Sequence, residues 1–159
     1  MVNMPSTPIS DILDGNCDGK PVDVRGWIYR KRESKDVIFL VIRDNSGIIQ
    51  CPVKKGSPAW REAERITIES SASLRGIVKK DSRAPGGFEI LTDQIAIIGL
   101  AETFPITKDQ SIEFLRDVRH LWLRSRRMTA VMKVRSDILK FIGEFFEKKA
   151  SPKFRRPCS

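Results

Sequence analysis

A basic segment, Gly26-Trp27-Ile28-Tyr29-Arg30-Lys31-Arg32-Glu33, runs almost directly into an apolar one, Val37-Ile38-Phe39-Leu40-Val41-Ile42-Arg43-Asp44, that carries a single aromatic. Both read as strands, and side chains alternate faces along a strand. In the second segment Ile38, Leu40 and Ile42 point one way and Val37, Phe39 and Val41 the other. In the run that follows, Ile49, Cys51 and Val53 oppose Ile48 and Gln50. With the Ile38-Leu40-Ile42 set inside, Phe39 faces outward and a hairpin brings Gln50 to the same face. Arg30 and Arg32 share a side of the first strand, and Gly26 is the expected position of a bulge that resets the alternation. One exposed surface is therefore expected to carry Arg30, Arg32, Phe39 and Gln50.

Five strand-like runs fall between turn signals, near 21–32, 36–43, 47–53, 72–80 and 88–97. Asn45-Ser46-Gly47 tolerates positive φ and suits a tight hairpin. Ser57-Pro58-Ala59-Trp60 leads into helix formers up to Arg65, which predicts a short helix with Ser57 as its cap. Ala84-Pro85-Gly86-Gly87 interrupts the chain before the fifth run. Three strands, a helix and two more strands make the chain order of an all-β, five-stranded OB-fold barrel, expected over residues 1–100. Residues 101–127 read as a hinge or linker ending in a basic, partly helical segment. A long helix is expected over 128–149, with Val131, Val134, Ile138, Phe141, Ile142 and Phe145 as an apolar stripe. The barrel is too small to cover that stripe, which implies a missing domain, a second subunit or an aggregation hazard. Residues 150–159 form a divergent tail.

The net charge of +9 and a pI near 9.8 favour a polyanionic partner. Nucleic acid fits better than membrane, because no apolar run approaches the length of a bilayer span. Cations on a sheet neutralise phosphates while an aromatic stacks a base, a contact of about 1–3 kcal/mol per base. The plain alternatives are Phe39 as core, Gln50 as an ordinary solvent-facing amide and Arg30-Lys31-Arg32 as a solvated cluster. Cys17, Cys51 and Cys158 are odd in number and lack a Cys-x-x-Cys pair, so free thiols, a reducing compartment and no zinc or other metal site are expected. Residues 1–10 have no export-signal pattern, and a cytoplasmic protein is expected. His120 has no nucleophile or ligand set beside it, and Asp44 reads as a turn former. No catalytic residue is readable.

Val24-Arg25-Gly26-Trp27-Ile28, the Arg-Lys-Arg cluster, Ile38-Phe39-Leu40, Arg43-Asp44 and Gly47-Ile48-Ile49-Gln50 together resemble the N-terminal anticodon-binding domain of the class IIb aminoacyl-tRNA synthetases. Within that group the likeness is closest to the prokaryotic-type asparaginyl-tRNA synthetases. Arg83-Ala84-Pro85-Gly86-Gly87-Phe88-Glu89-Ile90 looks like their loop before strand five. Phe104-Pro105-Ile106 and Arg119-His120-Leu121-Trp122-Leu123-Arg124 look like their linker.

The resemblance implies that Phe39 stacks on the central uridine of the anticodon and that Arg32 and Gln50 hydrogen-bond that base. It places Glu89 near the first anticodon base, where a carboxylate accepts from guanine. Arg30 and Lys31 are expected at phosphates, with Arg124 and Arg127 touching tRNA further along. The implied partner is tRNA, asparagine-specific, with the aspartyl branch and a general single-strand binder as alternatives. The parent enzymes are homodimers that use ATP and Mg; no cofactor is expected in this chain. Their long helix runs into motif 1 of the catalytic domain, whereas residues 150–159 do not match that motif, and the chain alone is expected to bind without catalysing. One codon choice for this tail, read in a neighbouring frame, encodes Gly-Phe-Pro-Glu-Val-Gln, which looks like motif 1 and suggests a frameshift. A missing catalytic half, encoded downstream or supplied by a partner, is the enzymatic alternative.

Overall fold

Strands β1 (Pro21–Glu33), β2 (Val37–Arg43), β3 (Ile48–Lys54), β4 (Ser71–Lys80) and β5 (Phe88–Gly99) all lie within two residues of the runs that alternation marks. The computed structural model describes residues 5–106 and 110–149. It closes the strands into one barrel in the order β1-β2-β3-β5-β4, the five-stranded OB arrangement. The 13-residue β1 serves two neighbours: Pro21–Trp27 pair with β4, and Trp27–Glu33 pair with β2. A parallel contact, Gln50 opposite Glu89, joins β3 to β5.

Alternation decides what fills this barrel. Ile38, Leu40 and Ile42 of β2 and Ile49, Cys51 and Val53 of β3 are all buried. They meet Val22, Val24 and Ile28 of β1, Ala72, Leu74 and Val78 of β4, and Ile90 of β5 in one cluster. Each fully buried isoleucine contributes roughly 1.5–3 kcal/mol of transfer free energy.

The bulge falls at Tyr29, not at Gly26, because the β1–β2 register slips between Ile28 and Arg30. This is just past Trp27, where β1 passes from one partner to the other. Gly26 has a different task. A Cβ there would lie 2.2 Å from the Arg43 carbonyl oxygen, so glycine is what lets the end of β2 approach β1. The slip leaves Arg30 and Arg32 outward, opposite Val41 and Phe39, and sets Lys31 opposite Leu40 on the interior side.

Helix α1 (Ile9–Leu13) has no counterpart in the sequence reading; five residues are too few for periodicity to show. It adds the fully buried Ile9 and Ile12 to the core cluster. Asp44 links it to the barrel: Oδ2 accepts from Ile9 N at 2.9 Å, and Oδ1 accepts from Ser46 N at 2.7 Å and Gly47 N at 2.8 Å. Asp44 is thus a turn former that also caps a distant helix. None of residues 45–47 takes the positive φ expected of the hairpin, because the Asp44 side chain closes the turn instead. Gly47 is needed for space, since a Cβ would come within 3.1 Å of Ile9 Cγ2.

Helix α2 (Trp60–Arg65) forms where a short helix is expected, but its N-cap is Ala59 with no side-chain cap. Ser57 contributes its carbonyl, which accepts from Trp60 N at 3.0 Å, while its hydroxyl is buried without a hydrogen-bond partner.

The chain divides into two compact units at Phe104/Pro105. Within the second, α3 (Ile112–Asp117), α4 (Arg119–Trp122) and α5 (Arg126–Lys148) follow in order. Ser111 and Ser125 cap α3 and α5, accepting from Phe114 N and Met128 N. The stripe residues of α5 are about half exposed, from 48% at Ile142 to 65% at Phe141. The tail 150–159, with Cys158 and the motif 1 comparison, lies outside the described residues.

Candidate nucleic-acid interface

The outer faces of β1, β2 and β3, the end of β5 and the β4–β5 loop enclose an open groove of about 630 Å³. Phe39 lies on its wall with its ring half-buried, outside the barrel core. Across the β1–β2 ladder the Arg32 guanidinium carbon stands 4.9 Å from the ring centroid, within cation–π range. Gln50 lies one strand further on β3, and its amide nitrogen donates to Glu89 Oε2 at 3.5 Å, the outer limit of a hydrogen bond. Glu89 is only 7% exposed and sits opposite Lys79 on β4 as well as Gln50 on β3.

Arg30, Arg32, Phe39, Gln50 and Glu89, five of the residues expected at a site, therefore line one groove. Alternation together with a bulge in β1 places the first four on one face, and the parallel β3–β5 contact adds Glu89. Arg30 also lies over the Tyr29 ring, 5.3 Å from its centroid.

Lys31 is a correction to the expected phosphate contacts. Facing inward at the end of β1, its ammonium donates to Glu64 O at 2.7 Å and Ile66 O at 3.2 Å, and pairs with Glu33 at 2.8 Å. Those carbonyls end α2 and lack helical partners, so the lysine caps that helix and complements its dipole. Alternation around the outward Arg30 and Arg32 itself turns Lys31 to the interior, against the phosphate contact that the resemblance implies. Arg43, part of the resemblance, pairs with Glu69 at 3.0 Å. Arg124 follows α4, and Arg127 lies in the first turn of α5; both are exposed and belong to the second unit. All the groove's lining comes from the first unit.

Four further charged residues line the groove: Lys54, Lys79, Asp81 and Arg83. The first two were readable in principle, since Lys54 continues the outward parity of Gln50 and Lys79 pairs with Glu89. Asp81 and Arg83 sit in a loop, where parity has no meaning. Arg83 pairs with Asp81 at 3.0 Å and holds its carboxyl down at about 2, first through side-chain hydrogen bonding. In all, five cations and two carboxylates surround one aromatic wall. Such a surface attracts phosphates through its rim, offers a ring for stacking, and presents an amide and a carboxylate to base edges.

Comparison with known proteins bears on the barrel as a whole. Residues 22–98 match the tRNA anti-codon family, an OB-fold nucleic acid binding domain. The asparagine–tRNA ligase of Thermoplasma acidophilum is 47% identical over 131 residues, which are 80% of this chain and 30% of that protein. The asparagine–tRNA ligase of Roseiflexus castenholzii is 37% identical over 158 residues, 97% of this chain and 36% of its own. Among solved structures, asparaginyl-tRNA synthetase from Pyrococcus horikoshii, complexed with asparaginyl-adenylate, superposes with a TM-score of 0.81 at 33% identity. That match covers 99% of this chain and 37% of the other. The chain spans about a third of the length of the relatives it matches.

Proposed function

We propose that this chain, whose barrel belongs to the OB-fold tRNA anticodon-binding family and matches that of the asparaginyl-tRNA synthetases, binds the anticodon loop of asparagine-specific tRNA in the β1–β2–β3 groove. The observation that carries this is the convergence of the Phe39 ring, the Arg32 guanidinium and the Gln50 amide on one outward surface beside Glu89. The central uridine stacks on Phe39, with Arg32 and Gln50 meeting its polar edge. A uracil edge offers two carbonyl acceptors and one N–H, which suits an arginine and an amide that both donates and accepts. Glu89, an acceptor when ionised, suits the N–H groups of a guanine at the first anticodon position. Arg30 and Lys54 meet the phosphates.

The reaction of the longer relatives, joining asparagine to tRNA with ATP and Mg as homodimers, is proposed for the parent protein and not for this barrel. Among the described residues no three His, Cys, Asp or Glu side chains converge as a metal site requires. Among the same residues no helix is long and apolar enough to cross a membrane.

Binding to tRNA transcripts altered at each anticodon position in turn tests the proposal. Loss of affinity on replacing the central uridine or the first-position guanine is expected. Equal affinity for every anticodon overturns the assignment and leaves a general single-strand binder. Transcripts differing only at the third position separate asparaginyl from aspartyl preference.

A further inference from the structure

The groove holds a carboxylate that ought to weaken binding of a polyanion. Asp81, at the end of β4, lines the groove with its side chain 15% exposed, whereas its partner Arg83 is 89% exposed. The pair is built into the loop. Asp81 Oδ1 accepts from Arg83 N at 2.9 Å and Arg83 Nε at 3.2 Å, and Oδ2 accepts from Arg83 Nη2 at 3.0 Å. Three backbone hydrogen bonds close the loop around it: Asp81 N to Gly87 O, Ala84 N to Asp81 O and Gly87 N to Ala84 O. Pro85 followed by Gly86 at φ 86° gives the residue order of a type II turn. A rigid loop thus holds the carboxylate in and the guanidinium out.

We propose that Asp81 is a positioning residue that fixes Arg83 at the lip of the groove as a contact for an RNA phosphate. The proposal rests on the groove being an RNA site. A guanidinium has five N–H donors, and its bonds to Asp81 use two, so the fork retains donors for a phosphate oxygen. A long, exposed arginine otherwise samples many rotamers, and a bidentate grip removes that freedom before RNA arrives. The carboxylate costs attraction at the rim and returns orientation.

These two effects have opposite signs in one variant. Asp81→Asn keeps an oxygen to accept from Arg83 N, so the turn survives, but it removes the charge-assisted fork and makes the groove more positive by one. Affinity for a transcript with the asparagine anticodon GUU, and for oligouridylate, is measured from 0.1 to 1 M salt. Arg83→Ala is expected to weaken binding about fivefold at 0.1 M and to flatten the log–log salt slope by about 0.7, the value of one single-strand phosphate contact. Asp81→Asn is expected to weaken binding in the same direction, and the double variant to be no weaker than Arg83→Ala alone. Tighter binding by Asp81→Asn with a steeper slope would mean that Asp81 only dampens the field, which overturns the proposal. So does an unchanged slope in Arg83→Ala. Equal affinity for all anticodons removes the tRNA reading, while the Arg83 comparison on oligouridylate still decides this one.

Discussion

Arg32 and Phe39 face each other across the β1–β2 ladder with the guanidinium 4.9 Å from the ring centroid. The ring proposed to stack a base already carries a cation, so a base stacked there would meet both a π face and a donor. Because Phe39 lies outside the buried cluster, its contribution to binding is separable from folding. Phe39→Ala is expected to lose about 1–3 kcal/mol of tRNA affinity with little change in the unfolding midpoint. Phe39→Leu, which keeps apolar area but not the π face, is expected to lose most of the same amount. Titration of both variants with labelled tRNA checks this; wild-type affinity in either would remove stacking as the cause.

Gly26 makes the opposite kind of prediction. A methyl group 2.2 Å from the Arg43 carbonyl oxygen cannot be absorbed by a flexible side chain, because the clash is with backbone. Gly26→Ala is expected to destabilise the barrel by about 3 kcal/mol. Urea unfolding of the full chain should show a lower midpoint with a similar slope.

What was legible in the sequence was whatever alternation controls. The five strands, the inward set Ile38-Leu40-Ile42 and the outward set with Phe39 and Gln50 all follow from period two. What was hidden depended on long-range fitting. The place of the bulge, Tyr29 and not Gly26, is set where β1 changes partner near Trp27, information that lies in β2 and β4 and not in β1. The later slip keeps Ile28 buried while Arg30 and Arg32 still face outward and Lys31 inward. Helix α1 stands on two isoleucines and on a cap supplied from Asp44, 35 positions away. The Asp81–Arg83 pair lies in a loop without periodicity, although the loop itself was marked by Pro85 and the two glycines that follow it.

Lys31 tests the consequence of the slip. As a cap on α2 with two carbonyl acceptors and a side chain only 14% exposed, it acts on stability. Lys31→Ala is expected to cost about 1–2 kcal/mol of folding free energy and to leave the salt dependence of tRNA binding unchanged. Arg30→Ala should do the reverse, with a flatter salt slope and an unaltered unfolding midpoint. A flattened slope in the lysine variant would return it to the RNA surface.

Cys51 reports on the barrel from inside. It is fully buried on β3, and burial pushes its thiol up to about 12, above the ordinary value of 9.0. A raised value means that the neutral thiol persists as pH rises, whereas the thiolate is the form that reacts. Cys17 is partly exposed. Alkylation at pH 8, read by peptide mapping, is therefore expected at Cys17 and not at Cys51 in the folded chain. Cys51 should react only through opening of the barrel, so its rate is expected to rise with urea and to be higher in Gly26→Ala. Equal labelling of both thiols in native buffer would place β3 outside a closed barrel, and the outward parity of Gln50, its neighbour in sequence, would go with it.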